Sequence, residues 1–154
     1  MYCWSYAKAW CALQPQIEAA GAVGPLFVSI GDEAKLNTFL ELNPHVPREN
    51  IFVDDLSMGA YEALGFGTMD DAIKNPPKDL KLKAPSIGGL GPWMSYLGHV
   101  MDLSPVDTKT KNFEGVKRLG GTFVVQGDDI VYQWNDRLPG DTPDLNEVMK
   151  YVTV

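Results

Sequence analysis

Apolar positions at the start of the chain fall at Cys3, Tyr6, Trp10, Leu13 and Ile17, in steps of three, four, three and four. That spacing puts all five on one face of a helix, and Gly21 supplies its stop. The pattern then shortens. "GPLFVSIG" is rich in β-branched and aromatic residues and closes at Gly31, which predicts a buried strand over Leu26 to Ile30. Asp32 follows as a helix N-cap, and Leu36, Phe39 and Leu40 carry a second amphipathic helix to Asn43 and Pro44.

"NIFVDD" predicts a second strand at Ile51 to Val53, and "MGAYEALG" a short helix ended by Gly65. Helix and strand alternating in this way indicate a parallel sheet with crossover helices. The last third reads differently. "GGTFVVQGDDIVYQW" is two strands around a tight polar turn, a hairpin signal, and "DTPDLNEVMKYV" is a capped terminal helix. Between these parts, Gly67 to Gly120 is interrupted by "NPP" and "GGLGP". Only a helix across Trp93 to Leu103 is expected there, and the lysines of "KDLKLK" read as a solvated loop.

A chain of 154 residues, 45% hydrophobic and 21% charged, buries one core, so a single domain is expected over 1–154. The net charge of -7 excludes nucleic acid as a partner, because phosphate binding needs a basic face. No apolar run reaches the roughly 20 residues of a membrane span, and no signal peptide is visible. Two closely spaced cysteines in such a domain read as reduced thiols in a reducing compartment.

Helix, strand, helix, strand, helix, hairpin, helix is the thioredoxin-like order without its first strand. The resemblance then becomes specific. "CWSYAKAWCALQPQIEAAGAVGPLFVSIG", "ELNPHVPRENIFVDD", "YEALGFG" and "LGGTFVVQGDDIVYQWNDRLPGDTPDLNEVM" resemble the peroxiredoxin-like AhpC/TSA antioxidant proteins, a family that includes prostamide/prostaglandin F synthase. The resemblance implies an α/β, thioredoxin-like fold: a mixed sheet flanked by helices, lacking the first strand, in one domain truncated at its N-terminus relative to the family. It implies thiol-dependent reduction of peroxides or related lipid substrates, with no metal or organic cofactor. An external thiol such as thioredoxin or glutathione would be the reductant. The cytoplasm and the plastid both stay open as locations.

The family carries C-x-x-C at the start of its first helix. Cys3 matches the second cysteine of that motif, and the first would precede Met1. A helix N-terminus favours the reactive thiolate, whereas burial on the stripe of Tyr6 and Trp10 would raise the thiol pKa and leave it inert. Both readings of Cys3 stand. Cys11 reads as a packing residue. Eight residues along a helix rise about 12 Å, beyond the roughly 4.4–6.8 Å between Cα atoms that a disulfide allows.

Gly120 and Gly121 stand where thioredoxin-like proteins bring a loop close to the redox cysteine, and glycines there would admit a substrate or partner backbone. Arg118 is a candidate for stabilising a thiolate or oxyanion, against the simpler reading of a surface arginine. The rivals to an enzyme are a non-catalytic thioredoxin-like protein used for binding or assembly, and a chain that pairs with a second copy, as a homodimer, to fill the vacant sheet position. Other sites rank low. His45 reads as a loop residue, neither His45 nor His99 has metal-ligand spacing, and Asp54–Asp55 and Asp128–Asp129 read as turn formers. "GGLG" at Gly88 to Gly91 lacks the register and lysine of a phosphate loop.

Overall fold

The computed structural model describes residues 2–55, 57–74 and 114–153. The expected helix over Trp93 to Leu103, the "KDLKLK" lysines, Gly88 to Gly91 and His99 lie outside them.

Helix α1 (Tyr2–Ala19) follows from the apolar stripe and runs through Pro15. Its end is a Schellman motif. Gly21 takes φ +75°, its N–H donates to the Glu18 carbonyl at 2.9 Å, and the Ala22 N–H reaches back to Ile17 at 3.1 Å. Ala22 then packs against the same cluster as Ile17, which completes the turn with an apolar contact.

Strands β1 (Phe27–Ile30) and β2 (Ile51–Asp54) pair in parallel, with Phe27 opposite Ile51 and Ile30 opposite Asp54. Helix α2 (Glu33–Leu42) makes the crossover, and the Asp32 carboxylate accepts the Lys35 N–H at 2.8 Å as its cap. The expected buried strand over Leu26 to Ile30 needs correction. Leu26 and Val28 are 55% and 46% exposed, and only Ile30 within the strand is fully buried. Among the described residues β1 has one strand neighbour, so β-branched composition located the strand but overstated its cover.

Helices α3 (Gly59–Ala63) and α4 (Met69–Lys74) follow β2, and α5 (Glu114–Lys117) precedes the second sheet. Asp54 caps α3, accepting the Ala60 and Tyr61 N–H groups at 2.9 and 3.3 Å. Asp55 accepts the Ser57 N–H at 2.8 Å. Both members of that pair are therefore turn and cap residues.

Strands β3 (Gly121–Gln126) and β4 (Asp129–Asn135) form an antiparallel hairpin with a register shift between Val124 and Val125. Gly127 opens its two-residue loop at φ +61°, a conformation that favours glycine. Helix α6 (Leu145–Val152) closes the order, capped by the Asp144 carboxylate on the Asn146 N–H at 2.8 Å.

One core joins these parts. Trp10 and Ile17 of α1 meet Val148 of α6, and Tyr6, Leu13, Phe27, Val124, Tyr132, Leu145 and Met149 pack around them. The two helices thus cover a face to which both sheets contribute: Phe27 from the parallel pair, Val124 and Tyr132 from the hairpin. Burying such apolar side chains is worth roughly 1.5–3 kcal/mol each and is what holds the layers together. No helix among the described residues is long and apolar enough to cross a membrane.

Candidate functional site

Cys3 lies in the first turn of α1, and the helix continues unbroken past Cys11. A helical rise of about 12 Å therefore separates the two backbones, and a local disulfide is ruled out. Cys11 is a free, half-buried thiol whose pKa is pushed up by desolvation. Burial lowers its thiolate fraction, as expected of a packing residue.

The first turns of α1 are tied to the start of β3. The Tyr6 hydroxyl and the Thr122 Oγ1 lie 3.0 Å apart, joined by a hydrogen bond. Further along, Trp10 and Leu13 share the core with Val124. Burial raises the pKa of the Tyr6 hydroxyl, hydrogen bonds with Thr122 and Trp10 offset part of the rise, and the Asp136 carboxyl adds to it.

The two glycines differ in what surrounds them. A Cβ on Gly121 would collide with the Phe66 ring and the Trp134 carbonyl. The close approach there is made by the chain itself. Phe66 packs on Phe123 at 5.5 Å and on Tyr61 at 5.2 Å between ring centroids. Gly120 has more room, its nearest neighbour being the Asp136 Oδ2, 3.6 Å from where a Cβ would stand. Its carbonyl accepts the Asp136 N–H at 2.9 Å.

Arg118 is not a surface arginine, which corrects the simpler of its two readings. Its side chain is only 19% exposed and pairs with Glu62 at 3.0 Å. Nη1 donates to the Phe66 carbonyl at 3.5 Å, and Nε is buried without a hydrogen-bond partner. A backbone bridge between Thr68 and Arg118, and the Leu119 N–H on the Gly67 carbonyl at 3.0 Å, hold the residue in this position. The guanidinium is engaged by the α3 segment.

Sequence reasoning passed over Asp136. Its carboxyl borders an open cleft of about 450 Å³ lined also by Gly67, Thr68, Ala72 and Leu119. Oδ1 is shielded and has no hydrogen-bond partner. Desolvation first, and the Asp141 carboxylate second, push its pKa up to about 7. Asp141 is itself held by Arg137, Nε to Oδ2 at 2.6 Å and Nη2 to Oδ1 at 3.1 Å. Strand pairing was the signal available: with Gly121 opposite Asn135, the next residue faces Gly120. Among the described residues no three or more His, Cys, Asp or Glu side chains gather as a metal site.

No curated protein and no solved structure matches the chain. The profile of the AhpC/TSA antioxidant enzymes matches residues 11–138, a stretch that runs from Cys11 through both sheets and begins after Cys3. Thiol-dependent peroxide reduction is the general chemistry that this family suggests. With its parallel pair, antiparallel hairpin and covering helices, the chain belongs to the AhpC/TSA antioxidant enzyme family and has its α/β, thioredoxin-like fold.

Proposed function

We propose that residues 1–154 act as one thioredoxin-like domain whose Cys3 reduces peroxides, lipid-like hydroperoxides included. The Cys3 thiolate attacks the terminal peroxide oxygen, forming an S–O bond as the O–O bond breaks. The departing oxygen takes a proton and leaves as water or an alcohol. An external thiol, thioredoxin or glutathione, then condenses with the sulfenic acid, releasing water, and a second thiol frees Cys3 as the disulfide departs. Gly120, Gly121 and Arg118 frame the loop at which substrate or reductant arrives.

The observation that carries this reading is the Tyr6–Thr122 contact, which holds the first turns of α1 against the start of β3. The family match adds the class of chemistry. The test is peroxide consumption by the protein with a dithiol present, followed by sulfenic-acid labelling. Consumption and labelling lost in Cys3→Ser and kept in Cys11→Ser support the reading; labelling unchanged by Cys3→Ser removes Cys3 from the mechanism.

A second reading, a non-catalytic binding or assembly role, is favoured by the filled surroundings of Gly121 and the engaged guanidinium of Arg118. It predicts no peroxide turnover while partners are still bound. A homodimer belongs to this reading, and light scattering tests it by mass.

A further inference from the structure

We propose that the cleft between α4 and the end of β4 binds an organic cation, a primary ammonium on an aliphatic stem, with Asp71 and Asp136 as its two carboxyl partners. The site stands apart from the assignment of Cys3 and needs no thiol chemistry.

Backbone hydrogen bonds fix both walls of the cleft to one short stretch, Arg118 to Gly120. On one side the Leu119 N–H donates to the Gly67 carbonyl at 3.0 Å, and Thr68 forms a bridge with Arg118. On the other side the Asp136 N–H donates to the Gly120 carbonyl at 2.9 Å, one residue beyond the pairing of Gly121 with Asn135. The space of about 450 Å³ that these segments enclose is of a size that holds a small organic ligand. Ala72 and Leu119, both buried, give it an apolar lining, and Gly65 and Gly67 add no side chains to fill it.

Charge selects the ligand. Three basic side chains of the flanking segments each have a carboxylate: Arg118 with Glu62 at 3.0 Å, Lys117 with Asp70 at 2.9 Å and Arg137 with Asp141 at 2.6 Å. Asp71 and Asp136 line the cleft, and among the described residues neither forms an ion pair. The Thr68 hydroxyl donates to Asp71 Oδ2 at 2.6 Å and holds that carboxylate in place. Asp136 has no side-chain hydrogen bond among the described residues, and its Oδ1 is shielded. Two carboxyls are too few for calcium, which takes 6–8 oxygens, and no cluster of three ligands occurs among the described residues. An ammonium needs fewer partners. Its three donors radiate from one point toward carboxyls on separate walls, and its methylene stem would lie along Ala72 and Leu119.

The titratable groups around the two carboxyls set the pH response. The hydrogen bond with Thr68 first, and then Lys74 and Arg118, hold the Asp71 carboxyl below its usual range. Burial first, and then Asp141 past the end of β4, push Asp136 up to about 7. Arg137 is engaged with Asp141, and from α1 the Tyr6 hydroxyl, its pKa raised, is neutral at physiological pH. A cation seated beside Asp136 favours its carboxylate. Binding therefore tightens as pH rises through the Asp136 titration.

The test is a methyl NMR titration of the full chain with n-butylammonium chloride at fixed ionic strength, at pH 6 and pH 8, with n-butanol as the uncharged control. The Ala72 and Leu119 methyl signals should shift, and the Kd should be up to about tenfold lower at pH 8, following the ionised fraction of Asp136. Asp136→Asn should abolish this pH dependence, whereas Asp71→Asn should weaken binding at both pH values and keep it. A blocked peptide with one lysine separates the two sources of such a group: binding tighter than butylammonium assigns a partner's lysine, weaker binding a free amine, and both support the site. Equal affinities of the wild type at pH 6 and pH 8, equal shifts with butanol, or no shift at Ala72 and Leu119 overturn the proposal. These wild-type measurements decide even if Asp136→Asn does not fold. No peroxide is used, so the site and the proposed thiol chemistry stand or fall separately.

Discussion

The hydroxyls of Tyr6 and Thr122 meet at 3.0 Å across 116 positions of sequence. This polar contact lies at the edge of an apolar interface, where α1 crosses the start of β3. Tyr6 also packs edge-on against Trp10, with ring centroids 6.1 Å apart. Tyr6→Phe keeps that ring and deletes the hydrogen bond. A loss of about 1 kcal/mol in denaturant unfolding is expected, and adding Thr122→Val should cost little more, because both variants remove one interaction.

Gly121 and Gly120 should respond oppositely to the same added methyl group. In Gly121→Ala the new Cβ meets the Phe66 ring and the Trp134 carbonyl. Overpacking of this kind costs about 1–3 kcal/mol. Phe66→Leu in the same chain should recover only part of it, since the carbonyl stays in place. Gly120→Ala, with 3.6 Å to Asp136, should unfold within about 0.5 kcal/mol of wild type. Equal losses at the two positions would contradict the packing described.

Asp136 also makes stability depend on pH. Its folded pKa, about 7, lies above the roughly 3.9 of an unfolded aspartate. The stability it contributes is therefore fully present below the unfolded value and is lost as pH rises through the folded one. Asp136→Asn removes that loss. Melting temperatures of variant and wild type should diverge as pH rises from about 4 to about 7, in favour of the variant. About 1 kcal/mol corresponds to roughly 2–4 °C in a chain of this size, which a pH series of thermal melts resolves.

Arg118 and Glu62 are unequal partners, 19% and 60% exposed. Glu62→Gln leaves a nearly buried guanidinium with a neutral acceptor, and solvent around Glu62 limits the effect to about 0.5–1 kcal/mol. Arg118→Lys loses the fork that spans Glu62 and the Phe66 carbonyl and should cost more. Urea unfolding of both variants ranks them; a reversed order would mean that the exposed partner dominates.

Local signals in the sequence were direct where one residue type answers one geometric need. Asp32 as a cap, Gly21 and Gly65 as helix stops and Gly127 in the hairpin loop were readable because each serves its own few neighbours. The stripe of Tyr6, Trp10, Leu13 and Ile17 was readable because the core repeats with the helix. Burial across the chain was not. Val28 looks like a buried strand residue and is half exposed, and Arg118 looks like a surface residue and is mostly covered. In both cases the deciding neighbours lie more than twenty residues away in sequence. Asp136 escaped notice because its surroundings combine Gly120 across the hairpin, Asp141 past the strand end and Tyr6 of α1.

Tyr61 donates its hydroxyl to the Val28 carbonyl at 3.2 Å, while its ring packs on Phe66 and through it on Phe123. Among the described residues, strands pair within each sheet and not between the two. The angle between the parallel pair and the hairpin is thus governed by ring contacts and the shared helical layer rather than by a ladder of amides. Rings slide and tilt at small energetic cost, whereas ladders break in whole hydrogen bonds. Among the described residues, the joint between the two sheets therefore runs through Tyr61, Phe66 and Phe123, beside Gly121.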